Sequence, residues 1–204
     1  MIMGDSYSTY EGYIPNEYAT YYPKLDVQSV EYTWWKKFLQ ETKMELLLNN
    51  SWSGSTIGYT GYNNKDCSKS SSFIYRYRQL QKVGFFENNA IDTLIVFGGT
   101  NDSWAGAPLG ELQYNDWTEE DLFKALPAIC YFMWLLRNDL VNVRIVFVAN
   151  SDIKTEIIDG IRLAGEYFNI EVIALQNIEK ELGHPTIKGM QQIYEQVLRG
   201  IVKR

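Results

Sequence analysis

Three short polar clusters, far apart along the chain, contain the residue types that nucleophilic catalysis needs. Ser6 lies where an apolar stub gives way to a polar loop, and a serine just past a strand is held on rigid scaffold with its hydroxyl exposed. Asn101 follows a buried run and two glycines, where its amide could donate to a developing oxyanion. His184 is the single histidine of the sequence, and imidazole titrates near neutrality, as a general base requires. If the chain is a serine hydrolase, no other histidine can serve as the base.

Each cluster taken alone also has a simpler interpretation. Gly-Asp-Ser is a common turn tripeptide, Gly-Asn is another, and a lone histidine is more often structural than catalytic. The nucleophile elbow G-x-S-x-G of α/β-hydrolases is absent, because position 8 is Ser8. A fourth polar segment contains Gly54, whose backbone N–H could approach a ligand closely. The case for chemistry therefore depends on a fold that brings these clusters together.

The pattern of short β-like runs alternating with helical ones predicts a three-layer α/β/α sandwich around a mostly parallel, five-stranded sheet. Two nearly continuous apolar runs are typical of parallel strands covered on both faces. Ligand chemistry in such a sheet lies at the carboxyl ends of the strands, and Ser6, Gly54 and Asn101 all follow predicted strands. The predicted strands are 2–3, 44–48, 93–97, 143–148 and 170–174, and the predicted helices are 30–41, 70–82, 118–138, 152–168 and 185–202.

Two local signals mark predicted helix starts. Thr118 and Asp121 resemble a capping box with aspartate in place of glutamate, and Pro185 suits a first helical turn. Neither an internal repeat nor a Pro/Gly-rich linker divides the 204 residues, a length that fits one domain with a full core. We therefore expect a single domain over residues 1–204.

Charge and composition exclude several classes of partner. The net charge of −6 and the isoelectric point near 4.9 argue against nucleic acid or an anionic membrane surface. No apolar run approaches the length of a membrane span. One histidine and scattered carboxylates form no ligand cluster, and Cys67 and Cys130 match no metal spacing. We expect a soluble protein without metal or other cofactor. Secretion or a periplasmic location would fit if an N-terminal signal was removed, and the oligomeric state is left open.

Taken together, the clusters resemble the SGNH/GDSL hydrolase family over nearly the whole chain. The blocks 4–6, 49–54, 99–102 and 184–185 occur in the family's order and in its structural settings. The resemblance implies a flavodoxin-like sandwich and a serine esterase that works through an acyl-enzyme intermediate. It also implies that Ser6 is the nucleophile and His184 the base. The backbone N–H groups of Ser6 and Gly54 and the side-chain amide of Asn101 would form the oxyanion hole.

One position departs from the family pattern. The family places an aspartate three residues before the histidine, and here that position is Glu181. A glutamate can orient and stabilise an imidazolium as aspartate does, although it is one methylene longer. We expect Glu181 to be the third catalytic residue, with Glu179 or a backbone carbonyl as the alternatives.

Aromatic residues suggest the kind of substrate. Tyrosines crowd the loop after Ser6, and Trp52 and Trp104 flank the two oxyanion segments. Most aromatic residues are expected in the core, yet flat rings around a polar cleft suit a sugar as well as an acyl chain. The exposed apolar helix or basic face of an interfacial lipase is absent from the pattern. The expected substrate is a short-acyl ester of a small molecule or carbohydrate, as for a carbohydrate deacetylase. A non-catalytic carbohydrate-binding module and an acyltransferase remain alternatives.

Overall fold

A computed structural model describes residues 1–202 of the chain. Five parallel strands form one sheet in the order β2-β1-β3-β4-β5, which confirms the predicted α/β fold. The strands are β1 Ile2–Gly4, β2 Asn49–Ser51, β3 Thr93–Gly98, β4 Arg144–Ala149 and β5 Glu171–Ala174. A separate antiparallel hairpin consists of β6 Lys180–Glu181 and β7 His184–Pro185.

Helices cover both faces of this sheet. They are α1 Trp34–Thr42, α2 Phe73–Lys82, α3 Phe85–Asn88, α4 Thr100–Trp104, α5 Ala125–Asp139, α6 Thr155–Tyr167 and α7 Ile187–Val202. Side chains of the central strands point alternately to two apolar layers: Leu94 and Val96 pack with α2, α5 and α6, whereas Ile95 and Phe97 pack with α1 and α7. None of the helices within residues 1–202 is both long and apolar enough to cross a membrane.

The second strand lies later in the chain than predicted. The apolar run 44–48 was expected to form it, but β2 is the polar stretch Asn49–Ser51, paired with β1 from Ile2↔Asn49 onwards. These buried polar side chains are satisfied by hydrogen bonds: Asn49 Nδ2 donates to Ser8 O (2.8 Å), and Ser51 Oγ donates to Asn49 Oδ1 (2.6 Å). Because these polar side chains are satisfied by individual hydrogen bonds, one to a neighbouring loop and one within the strand, apolar periodicity could not detect this strand.

Two of the predicted helices begin with a separate 3₁₀ turn. The first predicted helix starts with a 3₁₀ turn, Val30–Tyr32, and α1 begins only after the cap Thr33. Asp121 accepts from the backbone N–H and hydroxyl of Thr118, but the helical turn that follows is the 3₁₀ segment Glu120–Phe123. The predicted 118–138 helix is thus a 3₁₀ turn followed by α5.

The start of the last helix also differs from the prediction, and this difference affects the site. Pro185 pairs with Lys180 in the β6–β7 hairpin and does not lie in the first turn of α7. The hydroxyl of Thr186 accepts from Gly189 N (3.2 Å), so Thr186 caps the helix and α7 begins at Ile187. His184 is therefore held on a hairpin strand, two residues before the cap.

Candidate active site

The nucleophile candidate lies on a tight turn at the end of β1. Asp5 Oδ1 accepts from Tyr7 N (3.0 Å) and so caps the 3₁₀ turn Ser6–Ser8. Gly4 is required here, because a Cβ at this position would lie 2.7 Å from the Oγ atoms of Ser51 and Ser8. Ser6 is buried, and its hydroxyl points toward the hairpin that follows β5.

The structure brings Ser6 and His184 together across 178 residues of sequence. His184 Nε2 lies 3.0 Å from Ser6 Oγ, which is hydrogen-bond distance. Nδ1 of the same ring lies 3.3 Å from the backbone oxygen of Leu182. The tautomer that donates Nδ1–H to this carbonyl leaves the lone pair of Nε2 free to accept the serine proton.

A two-residue turn positions the histidine. Leu182 and Gly183 both have positive φ, 49° and 80°, the left-handed conformation that the tightest β-hairpin turns require. Two tyrosines hold this hairpin against the loop that follows the nucleophile: Tyr7 OH donates to Gly183 O (2.5 Å) and Tyr22 OH donates to Pro185 O (2.7 Å). These bonds fix the backbone on both sides of His184.

Aromatic rings surround the imidazole. Tyr21 stacks on it, with centroids 3.5 Å apart and planes within 6°, and Trp104 meets it edge-on at 6.0 Å. Burial lowers the pKa of His184 from its usual 6.5. The positive charges of Lys24 and Lys180 lower this pKa further, whereas the Leu182 hydrogen bond opposes the shift. The ring is therefore neutral at pH 7, as a general base must be.

Glu181 does not contact the catalytic ring. Its backbone pairs with His184 in the hairpin, but within residues 1–202 no hydrogen bond joins its exposed carboxylate to the imidazole. Glu179, the nearby alternative, accepts from Thr186 and Lys188. The position that a triad carboxylate would occupy is held by the Leu182 carbonyl.

The predicted oxyanion donors lie on three segments: the turn after β1, the loop after β2 and the first turn of α4. Gly54 has φ +80°, a conformation in which side chains are strained. In the described part of the chain, neither its backbone N–H nor that of Ser6 donates a hydrogen bond. Asn101 lies in the first turn of α4, where Nδ2 donates to Ser55 O (2.9 Å) and Oδ1 accepts from Tyr62 OH (2.8 Å). The second N–H of this amide donates to no protein group within residues 1–202.

Arg76 binds the ends of β1 and β2, a role that the sequence pattern does not predict. The guanidinium is fully buried and donates to Gly4 O (3.2 Å), Ser55 Oγ (3.1 Å) and both oxygens of Asn50. Burial lowers its pKa to about 9, which leaves it charged at pH 7. It thus joins the end of β1, which leads into Ser6, to the loop that contains Gly54.

Asp102 anchors the other side of the same loop. Its carboxylate accepts from Ile57 N (3.0 Å) and Gly58 N (3.2 Å), and burial raises its pKa to about 6. Burial also raises the pKa of Asp5 to about 6.

Among residues 1–202, no three His, Cys, Asp or Glu side chains are grouped so that they could hold a metal ion. Cys67 and Cys130 are buried free thiols.

Comparisons with known proteins identify the family and the fold. The family model for GDSL-like lipase/acylhydrolase matches residues 1–201. A crystal structure from Bacteroides ovatus, named as a GDSL-like lipase, is 42% identical with a TM-score of 0.91 over 100% of this chain and 98% of that one. A counterpart from Bacteroides uniformis is 40% identical with a TM-score of 0.90, over 100% and 94%.

A more distant structure shares the fold. The acetyl xylan esterase Est2A of the rumen bacterium Butyrivibrio proteoclasticus is 18% identical, with a TM-score of 0.60 over 99% of this chain and 63% of that one. No curated protein sequence matches the chain.

Proposed function

The chain belongs to the GDSL-like lipase/acylhydrolase family, and on that premise we propose that it is a serine esterase with a Ser6–His184 catalytic pair. The observation that carries the proposal is the 3.0 Å distance between Ser6 Oγ and His184 Nε2. A serine is a weak nucleophile unless a base within hydrogen-bond reach accepts its proton. The neutral imidazole beside Ser6 meets that requirement.

The reaction has two matched steps. Ser6 Oγ attacks the ester carbonyl carbon while its proton passes to His184 Nε2, and the carbonyl oxygen becomes an oxyanion. The imidazolium then returns this proton to the leaving alcohol oxygen as the C–O bond breaks, which leaves an acyl-enzyme. Water then attacks the acyl carbon while one of its protons passes to His184 Nε2. The imidazolium returns this proton to Ser6 Oγ as the acyl C–Oγ bond breaks, which releases the acid and regenerates Ser6.

The oxyanion would be bound by three donors. We assign them to the backbone N–H groups of Ser6 and Gly54, which donate to no protein group in residues 1–202, and to Asn101 Nδ2. The hydrogen bond of Asn101 to Ser55 O holds the amide in place before a substrate arrives. Such preorganisation avoids a reorganisation cost in the transition state.

The orienting group of the pair is proposed to be the Leu182 carbonyl. It holds Nδ1 and so selects the tautomer that catalysis needs, which a carboxylate does in a triad. A carbonyl carries only a partial charge, so it stabilises the imidazolium less than a carboxylate would. The role expected for Glu181 stays a prediction without a contact to support it.

The proposed substrate is a short-acyl ester, with an acetylated carbohydrate as the favoured form. Tyr18 packs on Trp52 beside Gly54, with centroids 4.3 Å apart, and Trp104 borders the other side of the site. Half-buried flat rings of this kind suit a sugar face. The fold shared with an acetyl xylan esterase agrees with this choice.

Hydrolysis of p-nitrophenyl acetate by the wild type and by Ser6→Ala tests the function. We expect turnover that depends on Ser6, together with faster hydrolysis of acetylated sugars than of long-chain lipid esters. A preference for long acyl chains would overturn the substrate class. Sugar binding without Ser6-dependent turnover would identify a binding module, and acyl transfer to an added sugar in preference to water would identify an acyltransferase.

A further inference from the structure

The parallel stack of Tyr21 on His184 gives this site a support that the catalytic scheme has not used. We propose that Tyr21 is a positioning residue: its ring holds the plane of the catalytic imidazole in a site where no carboxylate of residues 1–202 is hydrogen-bonded to that imidazole. The inference rests on the proposed role of His184 as base. It assigns to Tyr21 the orienting work that a triad acid performs elsewhere.

Two contacts together determine how the imidazole is oriented. The stack, with centroids 3.5 Å apart and an interplanar angle of 6°, fixes the plane of the ring. The Leu182 carbonyl, 3.3 Å from Nδ1, fixes its rotation within that plane. With both in place, Nε2 points at Ser6 Oγ at 3.0 Å. The carbonyl contact is long for a hydrogen bond, so the stack is needed to keep the ring in this orientation.

Tyr21 is itself tied to both catalytic segments. Its backbone N–H donates to Thr9 Oγ1 (2.9 Å), and the same hydroxyl donates to Ser6 O (2.9 Å). The next residue, Tyr22, donates to Pro185 O beside the histidine. The Tyr21 ring is thus placed relative to the nucleophile and the base at the same time, as a positioning group must be.

The same ring shields His184 from water. Charged and titratable groups near the imidazole are Lys24, Lys180 with its partner Asp152, Glu181 and Tyr7. Lys24 Nζ lies 4.8 Å from the Tyr21 ring centroid. Exposing the covered face to water would favour the charged imidazole. Removal of the Tyr21 ring should therefore raise the pKa of His184 toward 6.5.

The single histidine of the sequence makes a direct test practical, because its ring C–H signals in NMR need no assignment. We compare the wild type with Tyr21→Phe, which keeps a stacking ring, and Tyr21→Ala, which removes it. Tyr13→Ala is the matched control, since Tyr13 is an aromatic residue of the same loop that packs on Trp35. The wild type, Tyr21→Phe and Tyr13→Ala should show upfield ring-current shifts and a low histidine pKa. Tyr21→Ala should lose the shift and titrate closer to 6.5.

Ester hydrolysis provides the second readout. In Tyr21→Ala we expect kcat to fall about 100-fold, because a small displacement of a catalytic group has an effect of this size, with KM changed less than about threefold. Tyr21→Phe should restore kcat to within about threefold, and Tyr13→Ala should behave as the wild type.

Three results would overturn the proposal: an unchanged kcat in Tyr21→Ala, a loss confined to KM, or equal losses in Tyr21→Phe and Tyr21→Ala. The first would make the ring dispensable, the second would place it against substrate, and the third would assign the effect to its hydroxyl. An unchanged ring-current shift in Tyr21→Ala would also overturn it, whether or not the enzyme turns over. Failure of the proposed function is distinguishable, because it would show as absence of Ser6-dependent hydrolysis in the wild type.

Discussion

At the scale of single residues, the proposed chemistry depends on one hydroxyl and one imidazole. The sequence predicts Ser6 and His184 for these roles because each is a reactive type at a strand or turn boundary, and the two side chains lie within hydrogen-bond distance. The partner of His184 Nδ1 could not be predicted from the sequence. Whether the Glu181 side chain reaches the ring depends on the hairpin turn, in which Leu182 and Gly183 are both left-handed. The structure places a carbonyl there and leaves the carboxylate of Glu181 in solvent.

Glu181→Gln tests this difference at the same scale. We expect kcat/KM within about threefold of the wild type, because no hydrogen bond from the carboxylate to the ring is lost. Where a triad acid acts, the comparable amide substitution reduces kcat by about 10⁴. A loss approaching that size, measured with p-nitrophenyl acetate beside Ser6→Ala, would restore Glu181 as the third catalytic residue.

At the scale of elements, the candidate site lies where the carboxyl ends of β1, β2 and β3 approach the β6–β7 hairpin. The alternation of strands and helices predicted which segments lead into the site. The polar strand β2 escaped prediction, because its buried Asn49 and Ser51 are satisfied by partners that periodicity does not reveal. Arg76 escaped prediction because an arginine on a helix is usually exposed to solvent, and only the fold places it beneath the loops.

Arg76→Met should lower both stability and activity. The substitution removes a buried cation that donates to Asn50 Oδ1 and Ser55 Oγ. It also removes one of the two donors to Gly4 O, which keeps its bond from Trp52 N. We expect the free energy of unfolding to fall by about 3 kcal/mol, since a buried unpaired polar group costs about 1–3 kcal/mol, and kcat to fall because the Gly54 loop loses its anchor.

Urea denaturation of the variant measures the stability change. Arg162→Met is the matched control, because Arg162 lies on the surface of α6, where a substitution changes stability by about 0.5 kcal/mol or less. Arg76→Lys should rescue little, since an ammonium lacks the planar set of donors. If Arg76→Met were as stable as the wild type, the proposal that Arg76 holds the end of β1 to the Gly54 loop would be wrong.

At the scale of the whole molecule, the environment of His184 is assembled from distant segments of the chain. Tyr21 and Lys24 come from the first loop, Trp104 from α4 and Lys180 from the β6–β7 hairpin. The α/β sandwich was predictable from the alternation of strands and helices. The hydrogen bonds of Tyr7 and Tyr22 to the hairpin span 176 and 163 residues of sequence, and no local signal specifies such contacts.

The pH dependence of activity follows from this environment. Burial and the two lysine charges lower the pKa of His184, and only the neutral ring can accept the serine proton. Activity should therefore be full at neutral pH and fall as the pH drops, with a midpoint below 6.5. The histidine NMR titration should give the same midpoint as log(kcat/KM) plotted against pH. A midpoint above 7 would mean that a carboxylate or another anion supports the imidazolium.

The central claim is that Ser6 is an activated nucleophile, and covalent labelling with a fluorophosphonate followed by mass spectrometry tests it most directly. We predict one adduct per chain, located on Ser6, absent in Ser6→Ala and formed much more slowly in His184→Ala. An unlabelled wild-type chain, or an adduct on a different residue, would contradict the account.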